Sequence, residues 1–277
     1  MNQNKNTGGL NELALFAGAG GGILGSHLLG WNTVCAVERD AYAAQVLAQR
    51  QNDGILPPFP IWSDVCSFDG KPWRGIIDVI SGGFPCQDIS AAGKGAGIDG
   101  ARSGMWAEMA RIIGEVRPKH IFVENSPMLI SRGLARVISD LAALGYDAHW
   151  ARFSASNFGA PHERDRLWLV ANANGIGLEE KWITSGTGKK VTASWGNRSS
   201  VSNTKGFRWE QAGKGECKST QWLGWCSEKR AHWWGIEPRL GRVANGVAHR
   251  VDRLKAIGNG QVPVVAKNAF EYLGASQ

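Results

Sequence analysis

The sequence predicts an α/β fold: a doubly wound, mainly parallel sheet with helices on both faces. Three observations predict it. Between residues 10 and 171, short apolar runs alternate with segments of helical periodicity. The first apolar run ends in a glycine cluster, Phe16-Ala-Gly-Ala-Gly-Gly-Gly22, where such a sheet turns from strand to helix. After residue 172 the alternation stops. Residues 10–171 are therefore expected to form one domain, completed by the C-terminal segment 256–274, with 172–255 as a second, smaller region.

The elements follow in order. Leu13–Phe16 is expected as the first strand and Thr33–Val37 as the second, after which Asp40 caps a helix carrying Tyr42, Val46 and Leu47. Ile76–Ser81 is a third strand. Met105, Met109, Ile112, Ile113 and Val116 share a helical face, stopped by Arg117-Pro118, and Ile121–Val123 is the next strand. Leu134, Val137, Ile138, Leu141 and Leu144 form another helix, closed by Gly145. Leu167–Ala171 is a late strand. Ser185–Gly206 is polar and aperiodic and reads as loops. Pro263 suits the first turn of a last helix running through Val265, Ala269 and Tyr272.

With 277 residues, 43% of them hydrophobic, the chain can bury a sizeable core without a staple. The composition excludes collagen-like, coiled-coil and wholly disordered classes. MNQNKNTGGL is too polar for a secretory signal and no apolar run reaches membrane-spanning length, so a cytoplasmic protein without membrane contact is expected. The five cysteines (35, 66, 86, 217 and 226) include no Cys-x-x-Cys, which argues against a disulfide framework and a cysteine-rich metal site. The net charge of +7 is unevenly placed: residues 172–255 hold 15 Lys/Arg against 7 Asp/Glu, and seven of the 13 tryptophans. Basic residues interleaved with aromatics suit a polyanion with stackable bases; a basic insertion around a small Trp core would look the same.

The chemistry-bearing residues gather at strand ends. Gly20–Gly25 matches G-x-G-x-x-G, a pattern shared with many turns that bind nothing, but Glu38 lies 18 residues after Gly20, at the end of the second strand. A carboxylate there accepts hydrogen bonds from both ribose hydroxyls of a nucleoside cofactor; the alternative is a solvated strand end. Gly82-Gly-Phe-Pro-Cys86 follows the third strand, at the rim where such sheets bind ligands. Cys86 there is either a nucleophile or a small buried hydrophobe. Glu124 ends another strand at the same rim. A thiol and a carboxylic acid facing one pocket can attack and protonate an electron-poor ring. Arg164 and Arg166 alternate along an extended segment and project to one side, toward a base, a phosphate or surface acids.

In this order and spacing, Phe16–Gly22, Glu38, Asp64, Pro85-Cys86-Gln87, Arg102-Ser103-Gly104, Glu124-Asn125, Arg164-x-Arg166 and Gly258-Asn259 closely resemble the DNA cytosine-5 methyltransferase family of bacteria and phages. The resemblance implies a class I, Rossmann-like methyltransferase fold with a small basic target-recognition domain at 172–255. It implies S-adenosylmethionine as methyl donor, with no metal. Phe16, Gly18, Gly20 and Pro85 would line the donor, Glu38 would take its ribose and Asp64 its adenine amine, and Asn259 would close the pocket. Cys86 would attack carbon 6 of cytosine, Glu124 would hold the ring nitrogen and exocyclic amine, Arg166 the base carbonyl, and Arg164 would support the catalytic loop. Gln87, Ser90 and Arg102 would contact DNA. The partner implied is double-stranded DNA, with the base flipped from the stack, and a cognate restriction endonuclease acting separately from a monomer. His162 and Ser126 depart from the family's usual Gln and Val. An RNA cytosine-5 methyltransferase, a nicotinamide or flavin oxidoreductase and a non-catalytic DNA-binding module are the rivals. The oxidoreductase leaves Cys86, Glu124 and Arg166 unexplained.

Overall fold

The structure, a computed structural model, describes residues 9–85, 105–174 and 250–274. Cys86, Gln87, Ser90, Arg102, Cys217, Cys226, Ser185–Gly206 and nearly all of the basic region lie outside the described residues.

Seven strands form one sheet in the order β3-β2-β1-β4-β5-β7-β6. They are β1 (Asn11–Leu15), β2 (Asn32–Val37), β3 (Ile61–Trp62), β4 (Val79–Gly82), β5 (His120–Asn125), β6 (Tyr146–Phe153) and β7 (Arg166–Ala173). β1 pairs in parallel with β2 and β4, and β4 with β5, while β7 runs antiparallel to both its neighbours. The expected parallel sheet is thus present with one reversed strand near an edge. The helices are α1 (Gly21–Leu28), α2 (Ala41–Asn52), α3 (Met105–Val116), α4 (Leu129–Arg132), α5 (Leu134–Ala143), α6 (Arg250–Asn259) and α7 (Pro263–Gly274). Among the described residues no helix is long and apolar enough to cross a membrane.

Local chemistry explains the elements. Asp40 accepts the Ala43 backbone N–H at 3.1 Å and starts α2. α3 ends at Val116 because Arg117 enters the left-handed region (φ 56°) ahead of Pro118. All six residues of β5 are buried, as befits a central strand covered on both faces. On one face, Met109, Ile112, Ile113 and Val116 of α3 and Val137 and Leu141 of α5 pack against Leu13, Leu15, Ile80 and Ile121. On the other, α7 brings Val265, Ala269 and Phe270 onto Trp31, Phe122 and Trp168. Phe270 stands edge-on to Trp31, with ring centroids 4.6 Å apart. Burying each large side chain of these layers contributes about 1.5–3 kcal/mol.

Several expectations are corrected. β1 stops at Leu15; Phe16 leaves the strand with a positive φ of 53°. Ile76 precedes β4 and is exposed, because the chain still turns there. β6 and the two-residue β3 were not expected. The helix α6 was not expected either.

Candidate active site

The carboxyl ends of β1, β4 and β5 open onto one cleft, where sheets of this kind bind ligands. Phe16, Gly18, Ser81, Gly83, Glu124 and Asn259 all line it. Residues expected to serve a donor and a base are thereby brought together.

The β1–α1 turn is built on unusual backbone. Phe16 holds a left-handed conformation that is costly for an aromatic residue, of the kind that clusters at ligand sites. The Gly18 N–H donates to Glu38 Oε2 at 2.6 Å, and the Asp40 N–H donates to Glu38 Oε1 at 2.6 Å. Each Glu38 oxygen keeps a second lone-pair direction, which leaves it able to accept further donors. Nothing lies within 4 Å of where a Gly18 Cβ would stand, so the turn is open there to a ligand. A Cβ on Gly20 would meet Leu47 Cδ2 at 2.6 Å, so this glycine also lets the turn pack closely on α2. Asp64 stands just beyond β3, where its carboxylate accepts the Cys66 N–H at 3.0 Å and is held below the usual carboxylate range chiefly by that bond.

The second half of the site is an ion pair between the buried Glu124 and the partly buried Arg166. Arg166 Nε lies 2.8 Å from Glu124 Oε1. The two residues come from neighbouring strands, where Glu124 pairs with Trp168 and Asn125 with Leu167. Burial pushes the Glu124 carboxyl above the ordinary carboxylate range; Arg166, Arg164 and Gln261 pull in the opposite direction without cancelling it. Arg164 faces the same carboxylate but also donates to the carbonyls of Gly258 (2.7 Å) and Gly260, tying α6 and α7 to the cleft. It was expected to hold the loop that carries Cys86, and within the described residues it holds the C-terminal segment.

That loop leaves β4 directly over Glu124. The Phe84 side chain is buried and tilts against Trp106, at 5.4 Å between ring centroids, while its carbonyl accepts the Asn125 side-chain N–H at 3.1 Å. The described chain stops at Pro85, one residue before Cys86. A Cβ on Gly83 would lie 2.7 Å from Glu124 Oε2 and 3.2 Å from Gln261 Nε2. Gly83→Ala is therefore expected to displace the carboxylate from Arg166 and to cost about 1–3 kcal/mol of stability with the fold intact, as read by denaturant melts beside near-ultraviolet circular dichroism.

Sequence reasoning missed two residues here. Asn125 was quoted only as part of a motif, yet it fixes the loop. Gln261 presses its carbonyl on Gly21 and its amide on Gly22, and it also reaches Glu124. The only signal for it was its place three residues after Gly258. Among the described residues no three His, Cys, Asp or Glu side chains group as a metal site would need.

A family model described as C-5 cytosine-specific DNA methylase matches residues 10–221. The Type II methyltransferase M.Eco47II of Escherichia coli is 33% identical over 180 residues, covering 62% of this chain and 42% of that protein. The Type II methyltransferase M1.ScrFI of Lactococcus lactis subsp. cremoris is 35% identical over 173 residues, covering 61% and 43%. The matched stretch thus spans less than half the length of either relative. Among solved structures, the Entamoeba histolytica methyltransferase EhMeth matches with a TM-score of 0.51 at 18% identity, over 59% of this chain and 53% of that one, a likeness of fold. The sheet order and these matches make the fold that of class I, Rossmann-like methyltransferases. The cleft, its buried carboxylate and the match across residues 10–221 agree: the chain belongs to the C-5 cytosine-specific DNA methylase family.

Proposed function

We propose that this chain is a DNA cytosine-5 methyltransferase that methylates carbon 5 of a cytosine flipped out of duplex DNA. The observation that carries the reading is the buried Glu124 carboxyl, paired with Arg166 and packed against Gly83, three residues before Cys86 in the sequence. An acid whose carboxyl is raised by burial, beside a guanidinium and a few residues from a thiol, suits attack on an electron-poor ring.

The donor half of the cleft fits S-adenosylmethionine. Phe16, Gly18, Pro85 and Asn259 would line it, Glu38 would take the ribose hydroxyls on its free lone pairs, and Asp64 the adenine amine. When bound, S-adenosylmethionine supplies an electrophilic methyl group. The Cys86 thiolate, its proton given up to water, bonds to carbon 6 while the Glu124 proton passes to ring nitrogen 3, so a ring electron pair becomes available at carbon 5. Arg166 holds the base carbonyl. Once carbon 5 carries the methyl group, loss of its proton to water and return of the nitrogen proton to Glu124 would let the ring electrons expel the sulfur as thiolate. Arg164 keeps the C-terminal segment on the cleft. Gln87, Ser90 and Arg102 would meet the DNA, and residues 172–255 would recognise the target. Action as a cytoplasmic monomer, beside a separate restriction endonuclease, belongs to the same proposal.

Bisulfite sequencing of DNA from cells expressing the protein tests it: protected cytosines at one recurring site are expected. Labelled-methyl assays on duplex DNA and structured RNA run in parallel give the rival outcome. Transfer to RNA alone, or to neither, would overturn the proposal.

A further inference from the structure

Beneath the cleft sits a carboxyl group with no partner charge. Glu12 of β1 is fully buried, at a point where the β1–β2 register shifts. Its carboxylate accepts three hydroxyls from three elements: Ser26 of α1 at 2.6 Å, Thr33 of β2 at 2.7 Å and Ser81 of β4 at 2.5 Å. Among the described residues no lysine or arginine pairs with it. A buried carboxylate held only by hydroxyls is costly, and burial pushes this carboxyl above its ordinary range against the pull of the three hydrogen bonds. A hydrophobic residue would fill the space between sheet and α1 more cheaply.

Ser81 links this group to the site. It is half-buried, lines the cleft and stands two positions before Gly83 on the strand that leads to Cys86. A hydroxyl has one proton and two lone pairs. With the proton given to Glu12 Oε1, only lone pairs remain for whatever occupies the cleft, and behind them lies a carboxyl that a bound cation would help to ionise. Such a floor repels an anion and favours a cation.

We propose that Glu12 and Ser81 form a cation-recognising floor: Glu12 draws the Ser81 proton away from the cleft, and the Ser81 oxygen faces a positively charged group of the methyl donor. The inference rests on the donor being S-adenosylmethionine, which carries two positive groups, a sulfonium and an ammonium. Glu12 is a positioning residue, acting through Ser81. The donor's charge then serves as the counter-ion that the protein itself does not supply.

Glu12→Gln separates charge from packing. Its amide oxygen can accept from Ser26 and Ser81 while its N–H₂ donates to Thr33, so the fold is expected to hold by circular dichroism and thermal melting. Calorimetry should show S-adenosylmethionine binding weakened at least about tenfold, about 1.4 kcal/mol, with affinity for the uncharged nucleoside 5′-methylthioadenosine within about twofold of wild type. Ser81→Ala, which leaves the Glu12–Ser26–Thr33 cluster in place, should show the same selective loss and serves if Glu12→Gln does not fold. S-adenosylhomocysteine, which keeps the ammonium and lacks the sulfonium, names the group: a loss shared with it assigns the ammonium, and a loss confined to S-adenosylmethionine assigns the sulfonium. Equal weakening for the uncharged nucleoside, or donor binding unchanged in a folded variant, overturns the proposal. Wild-type protein that binds no S-adenosylmethionine at all sinks the reading beneath it instead.

Discussion

Cys86→Ala is expected to lower methyl transfer by roughly 10⁴-fold or more, while leaving S-adenosylmethionine affinity within about twofold of wild type. Carbon 5 of cytosine is a poor nucleophile, and Glu124 and Arg166 alone can polarise the ring without adding the electron pair it needs. The cleft residues that would hold the donor (Phe16, Gly18, Glu38 and Asn259) come from other parts of the chain, so binding should survive. Labelled-methyl incorporation read beside calorimetry separates the two effects. A duplex carrying 5-fluorocytosine sharpens the test, because fluorine cannot leave carbon 5 as the proton does. Wild-type enzyme should then be trapped as a covalent adduct at Cys86. An adduct formed by the alanine variant, or none formed by the wild type, would remove the sulfur from the mechanism.

The parts of this architecture that bury a continuous apolar surface were legible in the sequence. β5 carries Ile121, Phe122 and Val123 in succession, and α3 repeats its buried residues at helical spacing, so period and length identify both. β6 was not read because its residues alternate in burial along a half-exposed edge, with Asp147, His149 and Arg152 interrupting the run. α6 escaped for the opposite reason. Its apolar residues Val251, Leu254 and Ile257 are exposed, so no buried stripe announces the helix. In the site, Glu38, Glu124 and Arg166 could be placed because each stands at the end of a strand, and strand ends in this topology converge on one rim. The Gln261 contact with Gly21 and Gly22 joins opposite ends of the chain, and no local pattern encodes it. Glu12 was passed over because a carboxylate beside a strand reads as solvated. Only the coordinates bring Ser26, Thr33 and Ser81 around it.

Glu124→Gln should be the second most damaging substitution, lowering the transfer rate by about 10²–10⁴-fold with donor affinity within about threefold of wild type. The amide fills the same space and can still meet Arg166 through its oxygen, but it has no proton to give ring nitrogen 3. The pH dependence distinguishes this role from simple positioning. Burial raises the Glu124 carboxyl, so the folded enzyme holds its proton at pH values where a free glutamate has lost it. Turnover should therefore fall as pH rises through that raised value, and the glutamine variant should lose this limb of the profile. Linkage has the matching sign for stability. Below the unfolded value the carboxyl is neutral in both states and its contribution is fully present; between the two values only the unfolded chain ionises, and stability declines as pH rises. Wild type should thus lose more stability than Glu124→Gln over that window, measured by denaturant melts at several pH values. A glutamine variant that turns over within about tenfold of wild type, with an unchanged pH profile, would show that the proton comes from elsewhere and leave Glu124 as an anchor for Arg166.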